Sequence, residues 1–196
     1  LKSRKLFFAQ IIGVSFLASC STFSFDKMEL GPDPMVEHVR QWTRSAKLYR
    51  QFDTTVLVDV TYNSAELRRR MVESHVMARK LGEGQKAALI EEQIRENEKY
   101  AQFYVAIYTP KSEWSRMAKS DPAWIVFVDT PSGPVFSEPA VKVDEEDLPW
   151  ATSLSYDPKF RMFYQINVPR GKIGEKEIKL VLSGMLGEVY VTWEKQ

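Results

Sequence analysis

The sequence predicts an α+β fold, mainly antiparallel β, carrying a two-helix insert. Three observations predict it. Thr54 to Tyr62 and Phe160 to Val168 alternate apolar and polar residues with the period of two that a strand requires. Between them, residues 64–102 hold two stretches whose apolar positions recur every three or four residues, parted by Gly82 and Gly84. Adjacent strands are joined by links of hairpin length, which connect antiparallel pairs. An immunoglobulin-like sandwich of about seven strands is the expected form, and a single sheet with the helices on one face is the alternative.

The chain opens with Lys2, Arg4 and Lys5, continues with twelve residues from Leu6 to Leu17 interrupted only by Gln10, Gly13 and Ser15, and reaches small residues before Cys20, the single cysteine. This is the three-part plan of an export signal. The apolar part is shorter than the roughly 20 apolar residues of a membrane-spanning helix. Leu17, Ala18, Ser19 and Cys20 resemble, position for position, the lipobox of bacterial lipoproteins. The resemblance implies cleavage between Ser19 and Cys20, a diacylglyceryl group on the Cys20 sulfur, an acyl chain on its amine, and membrane lipid as the partner. In a Gram-negative cell, Ser21 in place of Asp after the cysteine resembles the outer-membrane sorting pattern. Each buried methylene contributes about 0.8 kcal/mol, so one chain holds marginally and several hold durably. An ordinary secretory signal before a free or buried cysteine is the alternative. The expected organisation is a signal peptide over 1–19, a lipidated cysteine and tether over 20–33, and one β-rich domain over 34–196 with its helical hairpin at about 64–102.

Three of the 27 basic residues precede Cys20, so 24 remain to face 26 acidic residues that all follow it, and the formal charge from Cys20 onward is −2. A near-neutral surface of mixed sign lacks the basic footprint of a nucleic-acid binder. With one cysteine the chain has no internal disulfide, so its stability comes from packing or from partners.

Taken in order, Gly31, Pro32, Asp33 and Pro34 end the tether. Asp33 is placed to cap a short helix with Pro34 in its first position, and Met35, Val36, Val39 and Trp42 fall near one face. Trp42 to Arg50 reads as a strand, and Thr54 to Tyr62, with Val56, Val58, Val60 and Tyr62 on one side, as a half-buried one. Asn63 with Glu66 three residues on has the capping-box spacing. The first long helix then runs to about Leu81 with Leu67, Met71, Ala78 and Leu81 inward and Arg68, Arg69 and Arg70 away from that stripe. The second runs from about Gln85 to Gln102 with Leu89, Ile90, Ile94 and Ala101 inward.

Phe103 to Tyr108 and Trp124 to Val128 are continuous apolar runs, read as central strands covered on both faces, with the helical hairpin as cover. Pro110 to Pro122 is a polar loop carrying Trp114, and Pro134, Pro139 and Pro149 confine their surroundings to edge strands or irregular structure. Asp157 and Pro158 turn the chain into the strand Phe160 to Val168. Ile178 to Leu182 and Val189 to Trp193 form a last hairpin around Gly184 and Gly187.

Chemistry-bearing residues are sparse. His38 and His75 stand in no metal-ligand spacing, and His75 reads as a boundary residue of its helix. Asp144, Glu145, Glu146 and Asp147 are consecutive, whereas a calcium loop spaces its ligands so that they converge, and a solvated loop is the better reading. Arg68 to Arg70, beside Glu66 and Glu73, reads as an exposed helix face. No serine sits in a Gly-x-Ser-x-Gly elbow, and Leu81 to Gly84 is a helix-to-helix turn. Trp124 and Trp193 read as core, while Trp114 and Trp150 lie in polar or Pro-rich segments as candidate partner contacts. No catalytic residue, metal ligand or cofactor is assigned. The expected function is a membrane-anchored envelope lipoprotein, a non-catalytic module binding an envelope protein or cell-wall component through a β edge or aromatic loops. A carboxylate-dependent envelope hydrolase and a lipid or small-ligand carrier are the alternatives.

Overall fold

Alternating apolar residues from strands of two sheets meet face to face in a computed structural model that describes residues 33–50, 53–118, 121–173 and 177–194. The lipobox, its cleavage site at Ser19 and Cys20, and the tether up to Pro32 lie outside the described residues. In chain order the elements are α1 (Pro34–Trp42), β1 (Thr43–Arg50), β2 (Asp53–Tyr62), α2 (Ala65–Arg79), α3 (Glu83–Lys99), β3 (Tyr100–Tyr108), β4 (Trp124–Asp129), β5 (Val135–Phe136), β6 (Val141–Val143), β7 (Met162–Pro169), β8 (Glu177–Gly184) and β9 (Gly187–Glu194). One sheet has the order β1-β2-β3-β7-β6 and the other β5-β4-β8-β9, and every pairing is antiparallel. The fold is therefore α+β and mainly antiparallel β, with two packed sheets and nine strands among the described residues.

The core between the sheets follows the period of two. Val56, Val58, Val60 and Tyr62 of β2, Phe103, Val105 and Ile107 of β3, and Tyr164, Ile166 and Val168 of β7 face Trp124, Val126 and Val128 of β4, Leu180 and Leu182 of β8, and Val191 and Trp193 of β9. At one end Tyr62 stacks on Phe103 with ring centres 5.1 Å apart, Phe103 packs on Trp193 at 5.5 Å, and Trp193 Nε1 donates to the Trp42 carbonyl at 2.9 Å. Phe160 falls outside β7: it is exposed, with φ of 62°, in the turn where the Asp157 carboxylate accepts from the Lys159 N–H. Gly187 opens β9 at φ 135°, a backbone conformation that favours glycine, and a Cβ there would lie 2.9 Å from the Leu48 Cδ2 methyl of β1, which would have to shift where the two edges meet.

Burial departs from the alternation in two places. β3 is buried from Ala101 to Ile107 on both faces, as its continuous apolar run predicts, and β2 is buried on both faces from Val58 to Tyr62, including Asp59 and Thr61. β4, with the same kind of run, is covered on one face only, and Ile125 is exposed. Length and composition cannot distinguish the two cases, because what covers a strand comes from elsewhere in the chain.

The outer face of the five-stranded sheet is covered by a second cluster, in which Val39 of α1, Leu67 of α2, and Leu148 and Trp150 from the segment after β6 pack on Tyr104, Ala106 and Phe163. The helical hairpin covers less than its apolar stripes predict. α2 contributes Leu67, Arg68 and Val72 as buried residues, α3 contributes none, and Ala78 and Ile94 are exposed. The cap of α2 is Ser64, not Asn63, its hydroxyl accepting from the Leu67 N–H at 3.1 Å. α1 begins as expected, with the Asp33 carboxylate accepting from the Met35 N–H at 2.9 Å and Pro34 behind it. The short strands β5 and β6 are sheet edges beside Pro134 and Pro139, which limits strand addition there.

One ion pair fastens the cover to the sheet. Arg161, before β7, pairs with Asp59 of β2, which also accepts from the Ser45 hydroxyl, and the Arg161 guanidinium lies 5.2 Å from the centre of the Tyr156 ring. Both charged side chains are nearly buried, at 11% and 7% exposure. Removing Arg161 leaves the Asp59 carboxylate buried and unpaired, so Arg161→Met is expected to cost about 3–5 kcal/mol in urea unfolding. Asp33 offers a pH-dependent counterpart. The Ser153 hydroxyl at 2.6 Å and then the Met35 N–H hold its carboxyl below the usual carboxylate range. Its contribution is present above the ordinary value of 3.8 and is lost as pH falls through the depressed folded value. Asp33→Ala is expected to lower stability by about 1 kcal/mol at neutral pH. Urea melts at falling pH should show that difference shrinking below about 3.8.

Candidate functional site

The junction of β2 and α2 places a charge where the outer cluster would otherwise be apolar. Ser64 starts α2 so that Leu67 enters the cluster, and Arg68, next along the helix, is carried inward with it to 3% exposure. Its guanidinium donates from Nε to the Asn63 carbonyl at 3.1 Å, from Nη1 to Gln93 Oε1 at 2.7 Å and from Nη2 to Gln102 Oε1 at 3.2 Å. All three acceptors are neutral, and none of the ion pairs among the described residues includes Arg68. Burial pulls its pKa below the ordinary arginine value. An arginine nevertheless stays charged at neutral pH. Tyr104 supplies no counter-charge there, because burial pushes its phenol up to about 12.

Arg68 lines a cavity of about 370 Å³ between α2, α3 and β3. Asn63, Gln93, Glu96 and Gln102 form its polar wall, and Met71, Val72, Leu89 and Pro149 an apolar one. Asn63 Nδ2 donates at 2.7 Å to the same Gln102 oxygen that accepts from Arg68, which brings the amide and the guanidinium together. Asn63 Oδ1 is buried without a hydrogen-bond partner. Glu96 is the one carboxylate lining the cavity, and it lies on the exposed side of α3. The arrangement can bind: it offers a cation with unused N–H donors, a free acceptor, and an apolar surface beside them.

The residues singled out in the sequence fall elsewhere. Trp150 is 2% exposed and packs edge-on against Tyr104 at 4.9 Å, so it is part of the sheet cover and not a surface contact. Leu148 and Trp150 lie in the turn between the short 3-10 helices Glu145–Asp147 and Ala151–Ser153 and insert together, leaving Pro149 outward. Trp114 is half-buried in the turn Ser112–Ser115, with its carbonyl accepting from Trp124 Nε1 at 2.6 Å and Lys111 Nζ 4.7 Å from its ring centre. Arg68 departs from the exposed face assigned to it, whereas Arg69 and Arg70 reach Glu73 at 4.0 and 3.4 Å. His75 is exposed at the cavity, His38 is half-buried on α1, and the acidic run from Asp144 to Asp147 is exposed. Among the described residues no three His, Cys, Asp or Glu side chains stand close enough to hold a metal ion. The one sequence signal for this site is Gln102, a polar residue leading an apolar run, whose amide needs a buried partner.

Fold and cavity together define a two-sheet α+β domain with a small pocket, polar on one wall and apolar on the other, beneath its helical insert. No protein-family model matches the chain, and neither a curated protein nor a solved structure matches it.

Arg68 and Arg161 make opposite predictions. Replacing Arg68 by Met gives up three hydrogen bonds from a charged donor, each worth about 1.5–3 kcal/mol, and relieves the several kcal/mol of desolvation that an unpaired buried ion costs. These terms are similar in size, so Arg68→Met is expected to unfold within about 1 kcal/mol of the native chain in the same urea experiment that shows the large loss for Arg161→Met.

Proposed function

We propose that the chain is a lipid-anchored, non-catalytic binding domain of the bacterial cell envelope, and that the cavity at Arg68 takes a small anionic ligand. The observation that carries the binding site is the buried guanidinium with three neutral hydrogen-bond acceptors and no carboxylate in ion-pair contact among the described residues, Glu96 acting on it only at longer range. Buried charges are ordinarily paired, and a carboxylate from outside supplies the missing partner at the cavity wall. Acid/base hydrolysis needs two carboxyl groups facing each other, and the cavity offers Glu96 alone. An acyl chain would suit Met71, Val72 and Leu89 but leave Asn63, Arg68 and Gln102 facing methylenes, so a ligand with a charged head is the better occupant. The anchor rests on the resemblance of Leu17 to Cys20 to a lipobox.

Two measurements test this. Mass spectrometry of the membrane fraction should find the mature chain beginning at a diacylglyceryl-modified Cys20, and Cys20→Ala should abolish the modification and release the protein from detergent-extractable membrane; an unmodified cysteine would rule out the anchor. Calorimetric titration of the detergent-solubilised chain with acetate should show saturable binding that Arg68→Met abolishes and Glu96→Gln strengthens, since that change removes a like charge. Equal binding by Arg68→Met would remove the cavity from consideration.

A second reading is favoured by the outer face of the four-stranded sheet. Phe127 and Phe136 pack there at 5.6 Å, and Ile125, Phe136 and Tyr190 are more than half exposed. An envelope protein docking on this face would be lost from chemical cross-links when Phe136 and Tyr190 are replaced by lysine, and unchanged cross-links would dismiss it.

A further inference from the structure

Resting on the anion-binding reading of the cavity, we infer that its ligand is a free α-amino acid, held by its carboxylate on Arg68 and by its ammonium on Asn63 Oδ1 and Glu96. A simple anion answers only one of the three groups. Asn63 Oδ1 can only accept a hydrogen bond, and it is buried with no donor. An anion placed on Arg68 sets another acceptor beside that oxygen, because the Asn63 amide and the Arg68 guanidinium converge on one Gln102 oxygen. Glu96 lines the same cavity and repels it further. A ligand that carries a cation two bonds from its carboxylate reverses both terms. Its ammonium donates to Asn63 Oδ1 and faces the Glu96 carboxylate, while its carboxylate takes the unused N–H groups of Arg68.

The remaining wall selects the side chain. Met71, Val72 and Leu89 are apolar, so an aliphatic residue fits them better than a charged one. The other charges near the site are consistent with a zwitterion. Arg170, bonded to the Tyr62 hydroxyl at 2.9 Å and to Asn97 Oδ1 at 3.1 Å, adds positive charge on the Arg68 side, and His75 lies at the exposed margin. The cavity of about 370 Å³ is at the small end of ligand pockets.

The test uses the full, lipidated chain in mild detergent and four probes: L-leucine, 4-methylpentanoate, L-leucinamide and N-acetyl-L-leucine. Calorimetry should show L-leucine binding roughly ten- to a hundredfold more tightly than each of the other three, since each lacks one of the two charged groups that L-leucine presents. Glu96→Gln should weaken L-leucine by about tenfold and strengthen 4-methylpentanoate, a crossing that a merely structural role for Glu96 does not produce. If 4-methylpentanoate binds as tightly as L-leucine in the native chain, the amino-acid assignment is overturned and anion binding stands. If none of the four binds, the cavity reading falls with it. Glu96 is exposed on α3, so its variant is expected to keep the fold, which the thermal unfolding midpoint checks.

Discussion

A strand with no side facing water constrains everything else in this protein. β3 sends Phe103, Val105 and Ile107 into the space between the sheets and Tyr104 and Ala106 to the opposite side, and both sets are buried. The first set requires a second sheet. The second requires a cover, which the chain assembles from the N-terminal helix, the first turn of α2 and the stretch containing Leu148 and Trp150. These pieces come from three separate places in the sequence, and each is short. The cover is consequently a patchwork of apolar insertions whose gaps are filled by polar groups.

Those gaps explain why two arginines are buried against the same sheet and why they differ. Arg161 lies over β2 and meets Asp59, so its charge is neutralised within the protein. Arg68 lies over the start of β3, where the partners are Gln102, Gln93 and a main-chain carbonyl, so its charge is solvated by dipoles, and Glu96 acts on it only beyond ion-pair contact. The first arrangement ties a loop to the sheet. The second makes no strong claim on stability, because the hydrogen bonds and the desolvation of the ion are of similar size. A costly group that does not serve the fold is where a binding role is to be sought.

Much of the architecture was legible in the sequence because it depends on local rules. The period of two identified β2 and β7, two short apolar runs around Gly184 and Gly187 marked β8 and β9, glycine and proline located the turns and the short edges, and Asp33 before Pro34 marked the start of α1. The errors have one physical origin. The apolar runs of β3 and β4 look alike in sequence, yet only β3 gained a second cover. Trp150 sits among prolines and acids that suggest exposure, yet its ring completes the cluster over Tyr104. Asn63 and Ser64 are both competent caps, and the choice of Ser64 followed from Asn63 being drawn to Gln102 of a strand 39 residues later.

By itself, then, the sequence determined the strand and helix periodicities, the turns, the near-neutral charge of the chain after Cys20, and the resemblance of Leu17 to Cys20 to a lipid-attachment motif, because each is a property of neighbouring residues or of composition. Only the tertiary structure decided which faces are covered and where Arg68 points. Helical periodicity places Arg68 one residue beyond the apolar stripe, a position equally compatible with water and with the sheet edge. What drew it inward was the coincidence of Asn63, Gln93 and Gln102 at one spot, acceptors that meet only after two helices and a strand have packed.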